Sequence, residues 1–91
     1  MLNLQPMIEA IAREIAHAEA KRPQAIHHEI PSWLAIMRRE LAEAEEAWVC
    51  GDGAAANTES LREILQVVAT GIRCLMQHGI KERDDAEYLQ L

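Results

Sequence analysis

Apolar residues recur every three or four positions along most of this chain, a spacing that predicts amphipathic α-helices. The pattern predicts one helix over about residues 6–20, a second over about 31–50 and a third over about 58–77. A last, charged and peripheral helix is expected over 81–91. Phe is absent and aromatic residues make up 3% of the chain, which gives little material for a β-sheet. The expected fold class is therefore all-α.

Proline, glycine and small polar residues predict where the helices end. Residues 23–30 begin with a proline and are expected to form a loop, because the residue before a proline is pushed out of the α region. The stretch 51–57 contains two glycines and predicts a short flexible connection, with Thr58 or the residue before it as the next N-cap. Gly79 is expected to cap the end of the third helix. So short a connection predicts that the second and third helices are antiparallel neighbours.

The third predicted helix is apolar around too much of its circumference for one neighbour to cover. A single domain of 91 residues buries only a modest core. We therefore expect an antiparallel bundle of three main helices plus a short C-terminal helix, completed as a homodimer or a dimer of dimers. Trp48 is expected in the core. The apolar residues of the third helix are Leu61, Ile64, Leu65, Val67, Val68, Gly71, Ile72, Cys74, Leu75 and Met76.

Composition narrows the function classes. The net charge of −6 and the pI near 5.1 speak against a nucleic-acid-binding surface, for which a basic stripe is expected. No apolar run reaches the ~20 residues of a membrane span, and no signal segment opens the chain, so a cytoplasmic location is expected. Cys50 and Cys74 do not form a disulfide framework. The histidines, including the pair at 27–28, lack partners at a zinc-like spacing.

The most informative polar feature is a Glu-x-x-Glu on the second predicted helix. Glu40 and Glu43 are three residues apart, so their carboxylates lie on nearly the same side of the helix. On a helical wheel Glu40 falls in the apolar half and Glu43 at its rim, whereas Glu46 falls on the opposite side. An unpaired carboxylate in apolar surroundings is unfavourable, so Glu40 is expected to be protonated, paired with a cation or bound to a metal ion. The same Ala- and Glu-rich stretch also suits a solvated acidic helix surface.

With Glu63 on the next helix, this arrangement resembles the MazG-like family of all-α nucleoside triphosphate pyrophosphohydrolases. The first half of the family motif is Glu40-Leu41-Ala42-Glu43, and the second half is Glu63-Ile64-Leu65-Gln66. The resemblance covers about residues 30–80. It implies that the protein uses Mg²⁺ to convert a nucleoside or deoxynucleoside triphosphate into the monophosphate and pyrophosphate, for nucleotide-pool clearance. By the same resemblance, Glu40, Glu43 and Glu63 are the implied metal ligands, and Glu43 the implied catalytic residue that orients the attacking water.

The chain departs from the family pattern at Gln66, where the family has an aspartate. An amide oxygen still coordinates a hard cation, but it adds no charge and cannot act as a base. Gln66 is therefore interpreted as a substrate-binding residue. A catalytically weakened nucleotide-binding relative and a purely structural helical oligomer remain as alternatives. Glu63 has a second interpretation too, because Ser60-Leu-Arg-Glu63 matches a capping box.

Three further side chains are candidates for substrate contact. Trp33 falls beside Glu40 on the wheel, where core packing is the favoured interpretation and stacking on a nucleobase, as a substrate-binding residue, is the other. Arg62 and Arg73 flank Gln66 and are candidates for phosphate contact, although an exposed arginine on a helix is ordinary.

Overall fold

The computed structural model describes residues 3–21 and 26–90, and within these ranges it contains helices and no strand. The predicted all-α fold class is confirmed. None of the described helices combines the length and the apolar character needed to cross a bilayer. The helices are α1 Gln5–Lys21, α2 Ile30–Cys50, α3 Gly53–His78 and α4 Asp85–Tyr88.

The connection between α2 and α3 is much shorter than the sequence predicts. Only Gly51 and Asp52 lie outside a helix, and α3 begins at Gly53, so the predicted flexible stretch 51–57 is wrong. A Cβ atom on Gly51 would lie 2.7 Å from the Ala47 carbonyl oxygen and 2.8 Å from the Ala56 Cα, which leaves room only for glycine. The small residues that suggested flexibility instead allow the two helices to approach closely at the turn.

The other helix ends agree in part with the prediction. α2 carries Pro31 in its first turn, where its missing N–H is harmless. The N-cap position is occupied by Glu29, whose side chain makes no capping hydrogen bond. Gly79 caps α3 with a φ of 96°, and its N–H donates to the Leu75 carbonyl oxygen at 2.7 Å. The first helix, predicted over about 6–20, is found over Gln5–Lys21.

The last helix is a single turn, whereas the charge pattern predicted a helix over 81–91. Asp84 accepts a hydrogen bond from the Glu87 backbone N–H at 2.9 Å, and the Glu87 carboxylate accepts one from the Asp84 N–H at 3.3 Å. This reciprocal capping box defines the start of α4. Leu91 lies outside the described residues.

Helix α3 is the centre of the fold, since it packs against both α1 and α2. Along α2, the Ser60 hydroxyl donates to the Ala44 carbonyl oxygen at 3.0 Å, and Met37 packs its sulfur 3.5 Å from the position of a Cβ on Gly71. The core is small and consists mostly of short side chains. The buried residues in the described ranges are Trp33, Ala44, Ala56, Ser60, Ala69 and Thr70.

The prediction that Trp48 is a core residue is wrong, because its side chain is 59% exposed. Leu34, Leu41 and Trp48 recur every seven residues along α2, and all three are exposed. The face that packs on α3 is rotated by about one residue from this row and carries Trp33 and Ala44. Small α3 residues such as Ala56 and Ser60 let the helices approach along that face, so the row containing Trp48 stays outside.

Candidate functional site

The glutamates of the predicted motif come together on adjacent faces of α2 and α3. Glu43 and Glu63 lie near enough to Glu40 for their negative charges to raise the pKa of its carboxyl group. The charge of Glu43 also raises the pKa of the Glu63 carboxyl group. Residues twenty or more positions apart thus form one acidic group, because α2 and α3 pack side by side.

Glu40 is half-buried, as its place on the helical wheel predicted. Its Oε1 atom is shielded from solvent and accepts no hydrogen bond from the described part of the chain. Burial is the main cause that raises its pKa, and the charges of Glu43 and Glu63 raise it further. The neighbouring Thr70 side chain opposes this shift by favouring the ionised form. Glu40 is therefore a carboxylate for which a nearby positive charge would be strongly favourable.

Glu63 shows the same features more weakly. The residue is half-buried, and its Oε2 atom is shielded without a hydrogen-bond donor among the described residues. Burial raises its pKa, followed by contact with Glu43 and the charges of Glu59 and Glu14. The capping-box interpretation is wrong, because Ser60 lies in the interior of α3 and bonds to Ala44. Glu63 faces α2 and does not cap a helix end.

A cleft of about 320 Å³ opens beside Glu40. Its walls come from α1, α2, α3 and the segment before α2, and Gln66, Trp33 and Thr70 contribute to them along with Glu40. The two residues predicted from the sequence as substrate-binding therefore line the same cleft as the best-placed carboxylate. The volume falls at the lower end of the range for small-molecule pockets.

Trp33 forms a wall of this cleft but is only 1% exposed. Its Nε1–H donates to Gln77 Oε1 at 3.1 Å, and the His28 ring packs edge-on against it with centroids 4.9 Å apart. The Arg73 guanidinium carbon lies 5.3 Å from the centroid of the Trp33 ring. Stacking of a nucleobase on Trp33 would thus require Arg73 or His28 to move.

Gln77 bonds to two residues that line the cleft, Trp33 and His28, a role that the sequence did not suggest. Its Oε1 also accepts the His28 backbone N–H at 3.1 Å, and its Nε2 donates to the Ile26 carbonyl oxygen at 2.8 Å. The His78 ring Nε2 donates to the His28 carbonyl oxygen at 2.7 Å. These bonds fasten the segment before α2 to the end of α3 and thereby place both Trp33 and His28.

The two candidate arginines differ in position. Arg62 is exposed and pairs with Glu59 at 2.9 Å, three residues away on the same helix. A surface pair of this kind contributes little to stability. Arg73 lines the cleft. Of the two, only Arg73 is placed to contact a ligand beside Glu40.

Sequence reasoning missed a fourth carboxylate, Glu14 of α1. It lines the cleft, and its charge contributes to the raised pKa of Glu63. The signal was present, because Glu14 lies one helical turn before Ala18 and beside Ile15, at the edge of the apolar stripe of α1. Helical periodicity therefore places Glu14 at the edge of the apolar stripe, but only the packing of α1 on α3 brings it near Glu63.

The residues fit a cation that takes part of its coordination from water or substrate. The observation that supports this fit is the pair of shielded, unbonded oxygens, Glu40 Oε1 and Glu63 Oε2. Within residues 3–21 and 26–90, no three His, Cys, Asp or Glu side chains are arranged to enclose a metal ion by themselves. Mg²⁺ is commonly held by one or two carboxylates together with waters and substrate phosphates, so a partial set of protein ligands is sufficient for it.

Comparisons of this chain with models of protein families, with curated proteins and with solved structures found no match. The resemblance to the MazG-like family therefore stays a prediction from the motif and the helix order.

Proposed function

We propose that this protein is a Mg²⁺-dependent pyrophosphohydrolase of the MazG-like type, acting on nucleoside or deoxynucleoside triphosphates in the cytoplasm. The observation that carries the proposal is the meeting of Glu40, Glu43 and Glu63 across α2 and α3, with two of their oxygens shielded and unbonded. Carboxylate oxygens that are shielded from water and accept no hydrogen bond need a cation or a proton. A triphosphate brought with Mg²⁺ supplies the cation together with the oxygens that complete its coordination.

The reaction would divide the triphosphate between its α and β phosphates. A water oxygen bonds to phosphorus, the bond from that phosphorus to the bridging oxygen breaks, and nucleoside monophosphate and pyrophosphate are released. Bound Mg²⁺ would offset the negative charge of the phosphates. Glu40 and Glu63 would hold it. Glu43 is exposed, so its carboxylate is open to solvent and suited to orient the attacking water and accept its proton.

Gln66 favours one alternative, a nucleotide-binding relative with weakened catalysis. Gln66 lines the cleft, but its amide adds no negative charge where the family has an aspartate. Glu14 contributes a carboxylate from α1 nearby. The alternative predicts nucleotide binding without turnover, so direct assay separates the two functions.

The assay is pyrophosphate release from a panel of nucleoside and deoxynucleoside triphosphates, with and without Mg²⁺. The Gln66→Asp variant is expected to bind Mg²⁺ about tenfold more tightly, because it adds a charge beside a metal site, and to release pyrophosphate faster. Metal titration and product release should be measured on the same preparation.

Glu46→Gln is the matched control for charge changes, since Glu46 is exposed on α2 and lies away from the motif. If Gln66→Asp lowers stability without tightening Mg²⁺ binding, the added anion meets only repulsion and the metal site is contradicted. Absence of pyrophosphate release from every triphosphate, combined with nucleotide binding, would favour the weakened relative.

The proposal includes an antiparallel α2–α3 pair and a homo-oligomer. Trp33 near the start of α2 bonds to Gln77 near the end of α3, whereas Ala44 pairs with Ser60 nearer the turn.

The radius of gyration of 15.4 Å exceeds the roughly 12 Å expected for a compact domain of this length. Many large apolar side chains are exposed, among them Leu34.

We expect sedimentation at micromolar concentration to give twice or four times the 10.2 kDa chain mass. A charge at Leu61, which is 64% exposed on α3, should dissociate the assembly, because an apolar contact would then bury an unpaired anion. Leu61→Glu is the test variant. Ile80→Glu, also at an exposed apolar position but outside the main helices, is the control. A folded wild-type monomer at these concentrations would contradict the oligomer.

A further inference from the structure

The cleft beside Glu40 collects positive charge in a chain that is acidic as a whole. The chain has 9 lysines and arginines against 15 acidic residues, and Lys21, Arg39 and Arg73 all line this one cleft. His17 and His28 line it too. Each of the three main helices contributes one of the permanent cations. Helix packing therefore brings together cations that are far apart in the sequence.

These three cations make no ion pair with any carboxylate in residues 3–21 and 26–90. The ion pairs found there join His27 to Glu29 and Arg62 to Glu59, outside the cleft. Glu14 and Glu40 line the cleft as well, so its permanent cations exceed its carboxylates by three to two. A concave surface with an excess of positive charge attracts ligands of negative charge. A surface lysine or arginine is ordinary when it stands alone, and the charge of Arg39 already acts on Glu40. Three permanent cations around one cleft nevertheless favour a ligand with more than one negative charge.

Arg73 is the best positioned of the three. It is half-buried, and its guanidinium lies against the Trp33 ring, which attracts a cation through its π-electrons. Trp33 is in turn held by the hydrogen bond to Gln77. An arginine restrained in this way loses little freedom on binding, and its planar fork of N–H donors matches the oxygens of a phosphate. Trp33 thus serves as a platform for Arg73.

We infer that this cleft is a binding site for the diphosphate part of a small molecule, with Arg73 and Arg39 as its principal contacts and Lys21 as a third. Three cations suit a diphosphate better than a single carboxylate. The cleft volume of about 320 Å³ admits a diphosphate but lies at the small end for a complete drug-sized ligand. The inference deepens the proposed function, on which it rests for the identity of the ligand as a nucleotide. Diphosphate binding itself requires no metal.

The test is titration of the whole chain with inorganic pyrophosphate in EDTA at low salt, followed by calorimetry and by melting temperature. Wild type is expected to bind and to melt at a higher temperature with pyrophosphate. Arg73→Gln and Arg39→Gln should each weaken binding about tenfold or more, the effect of one charged hydrogen bond. Arg73→Lys should fall between wild type and Arg73→Gln, since it keeps the charge and loses the fork.

Arg38→Gln is the matched control, because Arg38 is exposed, adjacent to Arg39 on α2 and absent from the cleft lining. It should bind pyrophosphate as wild type does. Equal binding by all variants, or no binding by wild type at millimolar pyrophosphate, overturns the inference. Sulfate at equal ionic strength must bind more weakly; equal binding of sulfate also overturns it, because the site would then not distinguish a diphosphate.

The two proposals fail separately. Pyrophosphate release with Mg²⁺ but no metal-free pyrophosphate binding would overturn the diphosphate site and leave the hydrolase standing. Specific pyrophosphate binding that depends on Arg73 and Arg39, in a protein that hydrolyses no triphosphate, would support the diphosphate site and contradict the hydrolase. Circular dichroism of each variant identifies any that fails to fold, and Arg39→Gln, at an exposed position, keeps the test decisive if Arg73→Gln unfolds.

Discussion

Glu40→Gln is expected to abolish Mg²⁺-dependent stabilisation and to lower pyrophosphate release by about 100-fold, the scale of removing one strong electrostatic contact with the reacting group. In wild type, Mg²⁺ at about 100 times its Kd should add roughly 2–3 kcal/mol to the free energy of unfolding, through binding to the folded state. The variant keeps the shape of the side chain and loses its charge. Thermal melts with and without Mg²⁺, alongside the product assay, measure both effects.

The same variant should change the pH dependence of stability when metal is removed with EDTA. The pKa values of Glu40 and Glu63 are raised above the ordinary value of 4.5. Between 4.5 and the raised values the folded state binds more protons than the unfolded chain, so stability falls as pH rises through this window. Glu40→Gln should flatten part of this fall and be more stable than wild type at neutral pH. Glu46→Gln, at an exposed position of the same helix, is the control for the loss of one charge. An unchanged Mg²⁺ response in Glu40→Gln would favour a solvated acidic surface.

Trp33→Ala is expected to produce the largest loss of stability of any single substitution in this chain. Trp33 is the largest fully buried side chain, and truncating a buried Trp to Ala lowers the free energy of unfolding by about 3–5 kcal/mol. The substitution also removes the donor to Gln77 Oε1. Domains typically have a total stability of about 5–15 kcal/mol, so the variant should be largely unfolded or close to it. Chemical denaturation followed by circular dichroism measures the change.

The second tryptophan supplies the control. Trp48→Ala should change the free energy of unfolding of an isolated chain by about 0.5 kcal/mol or less, as expected for an exposed position. In the two single-tryptophan proteins, Trp33 fluorescence should be blue-shifted and Trp48 fluorescence should resemble that of solvent-exposed indole. A larger loss from Trp48→Ala than from Trp33→Ala would contradict the packing of α2 on α3. If the Trp48 effect grows with protein concentration, the exposed row of α2 belongs to the oligomer contact.

Much of the fold follows from local pattern. The bounds of α1 and α2 agree with the prediction within about one residue, because proline and apolar spacing act within a few positions. The start of α3 was predicted about five residues late. Its first turns are rich in Ala and short polar residues, which suit a helix as well as a flexible connection, and only their packing beside Ala47 through Gly51 decides between the two.

Some features of the candidate site likewise follow from local pattern, and others depend on how the helices pack. Glu40 and Glu43 share a side of α2 by helical periodicity alone, and the half-buried position of Glu40 followed from its neighbours on the wheel. The position of Glu14 near Glu63 and the packing of Arg73 against Trp33 did not follow from helical periodicity. Both depend on how α1 and α2 are rotated against α3, and a wheel contains no information about the neighbouring helix.

The sequence by itself determined that the chain is helical, that it is acidic and that two glutamates lie side by side one turn apart on α2. Tertiary structure alone decided that Trp33 and not Trp48 is buried, that Glu63 faces the glutamates of α2, and that cations from three helices line one cleft. The physical reason is the distance along the chain over which each kind of interaction acts. Hydrogen bonding and side-chain periodicity within a helix act over three or four residues, whereas the face that becomes buried is chosen by the fit of small and large side chains between helices.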